Sequence, residues 1–322
     1  MKLIGIAALC LARSVWANVP SMKIESVGLI EEIVNLFTPA MIEKLPKLLS
    51  LEPPRRLNVS REWQHNTSKQ VRSYLTRSFI SVCPVAKLDT FECVCTKTYS
   101  DINIIRYLPL QAYVMVAVHK PDRQIVVSYR PAITIRNWIT NLKYEMAPFE
   151  SGFVHKGFLA HFRSTQNRSE AIIEKLLEKY KNHSLHVTGY SLGGAIGLLS
   201  LPSLKAMLVK RQDRRHFSAA LYAGPRVGDD AFVTGIHRLN IPITRYTNGN
   251  DIVSHLPPRS FGFVHAGAEV HEYIANDGTS KLKQCSQEYD EDPTCGWRGI
   301  SNLSAIRHLF PFQRFLPIPQ YC

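Results

Sequence analysis

One stretch limits what this chain can fold into more than any other. It runs Leu185-His186-Val187-Thr188, then Gly189-Tyr190-Ser191-Leu192-Gly193-Gly194, then Ala195 to Leu201. The first part reads as a strand and the last as a small-residue helix, so the chain must turn sharply at the serine. A bare G-x-S-x-G pattern would arise by accident about 0.1 times in a chain of this length, given ~7% each of Gly and Ser. Between a strand and a helix it is far more specific: a strained turn there lifts a serine hydroxyl above the sheet. Glycines two places before and after the serine let the backbone bend without a Cβ clash. The helix that begins there aims free N–H groups at any negative charge developing nearby.

The surrounding pattern is α/β. Tyr113 to Val118 and Ile125 to Tyr129 are β-branched and aromatic runs joined by His119-Lys120-Pro121-Asp122-Arg123, which predicts a hairpin. Ile172, Ile173, Leu176, Leu177 and Tyr180 mark one face of a helix that Ser169 is placed to cap. Further strands are expected at 218–222 and 243–246. Strands alternating with helices predict a central, largely parallel sheet with helices on both faces.

A serine hydroxyl is a poor nucleophile until a base takes its proton, and in this strand-turn-helix context acid and base follow in the order Ser, acid, His. Asp251, in Asn248-Gly249-Asn250-Asp251, lies just past a predicted strand, at the sheet edge where Ser191 emerges. The downstream histidines are His255, His265, His271 and His308. His255 is close to Asp251 in sequence for a separately presented base, and His265 and His271 fit a packed, β-like environment. Residue patterns alone do not choose among the four.

The amino terminus carries Lys2, an apolar run from Leu3 to Ala12 and the small-residue pattern Val15-Trp16-Ala17, which reads as a signal peptide over 1–17. The run is about half of the ~20 residues a bilayer span needs, and no later stretch reads as a span. Residues 18–58 carry apolar residues at the spacing expected of amphipathic helices, end near Pro53-Pro54-Arg55-Arg56, a dibasic site, and read as a propeptide; 59–322 is then the expected catalytic domain. Once Cys10 leaves with the signal, six of the seven cysteines remain: Cys83, Cys93, Cys95, Cys285, Cys295 and Cys322. An even set in a secreted chain suggests disulfides. Sequons at Asn58, Asn66, Asn167, Asn182 and Asn302 suit an extracellular surface.

The formal net charge is +13. The basic residues are dispersed rather than striped, and no nucleic-acid-binding motif accompanies them, so transient contact with a membrane or other lipid surface is the expectation and nucleic acid is not. No histidine stands at zinc-finger spacing from Cys93 and Cys95, and nothing resembles a nucleotide loop; neither metal nor cofactor is expected.

Several segments together resemble the class 3 fungal lipases, the group of the Rhizomucor and Rhizopus lipases that also includes feruloyl esterases. They are Val154-His155-Lys156-Gly157-Phe158-Leu159, Thr188 to Ala195, Gly224-Pro225-Arg226-Val227-Gly228, Asn250 to Pro258 and Phe261 to Gly267, and the likeness spans about residues 60 to 322. It implies an α/β-hydrolase fold with a helical lid, Ser191 as nucleophile, Asp251 as the triad acid, His308 as the triad base and His265 as a structural neighbour. It further implies disulfides Cys83–Cys322, Cys93–Cys95 and Cys285–Cys295, although the family has two residues between the second pair where this chain has Val94 alone.

The resemblance also implies an oxyanion hole made by the backbone N–H groups of Leu192 and Ala132. Here the chain departs from the family: Arg130-Pro131-Ala132 stands where Arg-Gly-Ser or Arg-Gly-Thr is usual. The side-chain hydroxyl is gone and proline fixes the local φ, which predicts reduced activity. The next segment, with Ile135, Trp138, Ile139 and Leu142 at helical spacing, corresponds to the lid, whose apolar face shields the site in water and turns to lipid at an oil–water interface. The expected reaction is hydrolysis of a triacylglycerol. The alternatives are a feruloyl esterase, a phospholipase, or a weakly active lipid-binding homologue.

Overall fold

The computed structural model describes residues 98–132, 144–275, 280–287, 291–296, 303–304 and 307–308. The expected signal segment and propeptide, Ile135, Trp138 and Ile139 of the expected lid, and Cys83, Cys93, Cys95 and Cys322 lie outside them.

Runs rich in β-branched and aromatic residues produce β2 (Ala112–His119) and β3 (Gln124–Tyr129), which with β1 (Tyr99–Tyr107) form an antiparallel meander. The predicted hairpin is β2–β3. A separate hairpin, β4 (Met146–Phe149) with β5 (Gly152–His155), leads into helix α1 (Lys156–Lys179). Then come β6 (Ser184–Tyr190), α2 (Leu192–Lys210), β7 (Phe217–Tyr222), α3 (Asp230–Arg238), β8 (Ile243–Asn248), β9 (Ala268–Ile274) and β10 (Ser280–Gln284). Among the described residues the sheet has eight strands in the order β1-β2-β3-β6-β7-β8-β9-β10. From β3 through β9 every neighbouring pair is parallel.

Parallel strands joined by helical crossovers are buried on both faces, and the side chains divide accordingly. Val116, Val127, Val187 and Leu221 meet Phe158 and Leu199 from the helices, in a core that also takes Phe232 and Ile236 of α3. On the opposite face Met115, Ala117, Val126, Ala220, Tyr222 and Tyr246 are buried too.

Two details correct the sequence reading. Ser169 does not cap α1: the helix starts upstream at Lys156, and Ser169 sits inside it with its hydroxyl bonded to Gln166 O at 2.9 Å. A serine within a helix satisfies itself on the preceding turn. The cap is His155, whose Nδ1 accepts from Gly157 N at 3.1 Å and Phe158 N at 3.3 Å. The second correction concerns α2, which is long and apolar enough to pass for a membrane span, with 72% of its apolar window buried inside the protein. Its hydrophobicity belongs to a core helix packed against the sheet. The sequon residues Asn167 and Asn182 are exposed.

Candidate active site

The turn between β6 and α2 takes the strained form that the sequence implied. Ser191 has φ 57° and ψ −125°, a region that side chains rarely occupy and that proteins retain mainly at functional positions. Two glycines make the turn possible. A Cβ on Gly189 would lie 2.2 Å from Gly193 O, and one on Gly193 would lie 2.0 Å from Tyr129 O. The second contact brings the end of β3, and hence Arg130-Pro131-Ala132, against the start of α2. Ser191 N donates to Tyr222 O at 2.9 Å, fixing the turn to β7. The first N–H groups of a helix have no acceptor within it; Leu192 is the first residue of α2, and Ala132 is partly buried against the core.

Asp251 follows β8 on the same sheet edge and is buried. Its Oδ1 accepts from Val253 N at 2.9 Å, and its Oδ2 accepts from His308 Nδ1 at 2.7 Å. The segment carrying His308 is held by a parallel bridge between Asp251 and Ser304, in which Ser304 N donates to Asn250 O at 2.8 Å and Ile252 N to Ser304 O at 3.3 Å. The carboxylate requires a proton on Nδ1, so Nε2 of His308 presents its lone pair. That Nε2 and Ser191 Oγ are both buried, and neither has a hydrogen-bond partner among the described residues.

The other three histidines sit in different surroundings. His255 lies in a buried 3-10 turn; burial, reinforced by the Arg226 charge, pushes its pKa down to about 3. His265 is buried with Nε2 2.8 Å from Ser254 O, and burial followed by Arg245 holds its pKa well below the usual range. His271, on β9, meets Thr247 Oγ1 at 2.9 Å and is also lowered, chiefly by burial. A general base must accept a proton near neutral pH, which these rings resist.

Their neutrality has a consequence for stability. In the unfolded chain each of the three takes up a proton below about pH 6.5, whereas the folded protein refuses it, so the unfolded state binds more protons as the pH falls. Stability is therefore expected to decline from about pH 6.5 downward, each histidine steepening the slope by up to about 1.4 kcal/mol per pH unit, with the His255 share persisting to about pH 3. Urea midpoints measured from pH 7.5 to 4.5 test this; a flat profile would contradict the burial of these rings.

Residue patterns gave no role to the network beneath the Asp251 loop. Arg226, fully buried, meets Glu291 side-on, with Nε–Oε1 2.7 Å and Nη2–Oε2 2.6 Å. It also donates to the carbonyls of His255 and Pro257, and Arg259 Nη1 reaches Glu291 Oε1 at 3.1 Å. Burial alone would raise the Glu291 pKa, but the Arg226 charge and its hydrogen bonds prevail and hold it well below the carboxylate range. The Gly224 to Gly228 motif was the available signal, since an arginine between Pro and Val in an apolar setting needs a buried acid. Tyr190, inside the serine motif, was passed over as a spacer.

Cys285 and Cys295 are joined in a disulfide, as the resemblance implied. With Asp292 they form a group compact enough for a cation, but both sulfurs are already bonded to each other. Closing so short a loop stabilises by somewhat under ~3 kcal/mol in a chain-entropy treatment.

Comparison with known proteins gives the family. The profile of the lipase (class 3) family matches residues 126–261. A lipase of Rhizomucor miehei is 32% identical over 260 residues, covering 76% of this chain and 69% of its own length. A lipase of Rhizopus oryzae is 31% identical over 241 residues, covering 72% of this chain and 59% of its own length. Among solved structures, the native Rhizomucor miehei lipase propeptide complex aligns with TM-score 0.71 at 26% identity, over 84% of this chain and 93% of that one. A triacylglycerol lipase whose catalytic centre is formed by a serine protease triad aligns with TM-score 0.68 at 30% identity, over 79% and 98%. With a strained serine at its sheet edge and this likeness over most of its length, the chain belongs to the class 3 lipases, ester hydrolases of the α/β-hydrolase fold.

Proposed function

We propose that the chain is a secreted triacylglycerol lipase that works through an acyl-enzyme, with Ser191 as nucleophile, His308 as base and Asp251 as the group that orients the base. The observation that carries this reading is the 2.7 Å contact from His308 Nδ1 to Asp251 Oδ2, beside which His308 Nε2 and Ser191 Oγ are both buried and each without a hydrogen-bond partner among the described residues. Ser191 Oγ attacks the ester carbonyl carbon and its proton passes to His308 Nε2. The ester C–O bond then breaks, and the same proton goes to the departing alcohol. Water repeats the sequence on the acyl-enzyme and releases the fatty acid. Leu192 N–H and Ala132 N–H hold the oxyanion in both halves; without a hydroxyl at position 132, one donor fewer stabilises it than in the usual motif.

Two observations favour a lipid surface as the place of action. A 3-10 turn at Leu108–Leu110 joins β1 to β2, and its Leu108 is 69% exposed. The turn stands on the catalytic edge, because Tyr107 pairs with Ala112, Val114 with Tyr129, and Tyr129 with Gly189. The dispersed positive charge adds attraction to anionic lipid. Opening of the lid expected at 135–142 and removal of 18–58 as a propeptide complete the proposal; the likeness to a solved lipase propeptide complex supports the latter.

Kinetics across the solubility limit test the assignment. With an ester of intermediate chain length, the rate is expected to rise several-fold beyond simple saturation once droplets form, and long-chain triacylglycerol in emulsion should be hydrolysed. Hyperbolic kinetics through that limit, with activity confined to soluble or feruloyl esters, would replace the lipase reading by an esterase one.

A further inference from the structure

His308 reaches the site on a short strip of chain, and the hold on that strip is specific. Tyr190 is fully buried at the end of β6, and its hydroxyl donates to the carbonyl oxygen of His308. Its ring also lies against the imidazole, with centroids 5.1 Å apart at 39°. One residue earlier, Asn248 Nδ2 donates to Arg307 O at 2.6 Å. Asn248 closes β8, just ahead of Asp251, and Tyr190 immediately precedes Ser191.

From this geometry we propose that Tyr190 and Asn248 are positioning residues for catalysis, gripping the consecutive carbonyls of Arg307 and His308 so that the imidazole keeps its alignment between the carboxylate and the serine. The inference rests on His308 being the base. The neighbour of the nucleophile and the strand that presents the acid would then each hold the base in register, so movement of one member of the triad carries the others with it. Burial, with the charges of Asp251 and Glu272, keeps the Tyr190 hydroxyl protonated and able to donate. A displacement of the base by about 1 Å is enough to cost on the order of 100-fold in rate.

The test is Tyr190→Phe, which removes only the hydroxyl, with Asn248→Ala as a second variant, assayed on a soluble short-chain p-nitrophenyl ester to keep interfacial steps out. Each folded variant is expected to lose about 10- to 100-fold in kcat with KM within about twofold of wild type, and labelling of Ser191 by a fluorophosphonate should slow in parallel. The double variant should lose less than the product of the single losses, because both bonds hold one strip. A kcat within about twofold of wild type in both variants, or a loss matched by the unfolded fraction in urea titration, would overturn the proposal. Ser191→Ala runs alongside: if it is labelled and active like wild type, the triad reading fails beneath this one, whereas its inactivity with fully active Tyr190→Phe removes the positioning role alone.

Discussion

Ser191→Ala is expected to reduce ester hydrolysis by a factor on the order of 10⁶, leaving only what oxyanion donors and substrate binding contribute without a nucleophile. Under the proposed mechanism the loss is large because the three groups act as a unit: a base aligned by Asp251 at 2.7 Å has nothing to deprotonate once the hydroxyl is gone. The fold should survive, since alanine inherits the same strained φ of 57° and removes one buried hydroxyl that lacks a partner. Titration of fatty acid released from emulsified triolein, with thermal unfolding as a control for folding, measures both. Release at the wild-type rate would remove Ser191 from the mechanism.

The second large effect concerns stability. Glu291→Gln should destabilise the protein by about 3–5 kcal/mol, because it leaves the Arg226 guanidinium buried without its counter-charge. Arg226 is fully enclosed, its other acceptors are backbone carbonyls, and Arg259 shares the same carboxylate. For a domain of this size, the corresponding fall in Tm is on the order of 10 °C. Because the network underlies the loop from Asp251 to Arg259, activity measured well below Tm should persist, whereas the temperature of inactivation falls with Tm. A change in Tm under about 2 °C would show that the pair contributes little beyond its own desolvation.

The parts of the structure visible in the sequence are those whose cause is local. The serine turn combines a strand signal, glycines at close contacts and a small-residue helix, all within consecutive residues, and β6 and α2 fall where expected. The β2–β3 hairpin was equally plain from its β-branched runs. By contrast, β1 is irregular, with a register shift between Ser100 and Asn103 that breaks the alternation. Strand β9 reads as polar because Glu269, His271 and Glu272 lie in it, yet all three are buried. Its burial makes sense only once Arg245 of β8 is placed opposite, pairing with Glu269 at 2.9 Å. Long-range pairing of this kind leaves no periodic trace. For the same reason the choice of His308 among four histidines came from resemblance, and the structure supplies the physical contrast: His308 meets a carboxylate, whereas His255 and His265 are held neutral by burial beside arginines.

Among the described residues, the chain around the imidazole is joined to the body of the protein through main-chain bonds at Asn250 and Ile252 and through the side chains of Tyr190, Asn248 and Asp251. Under the proposed mechanism, loss of those bonds alone would end turnover while the ladders of the sheet stay paired, a local event that a spectroscopic probe of the sheet barely registers. Heat or mild denaturant should therefore silence this molecule while most of its architecture is still standing.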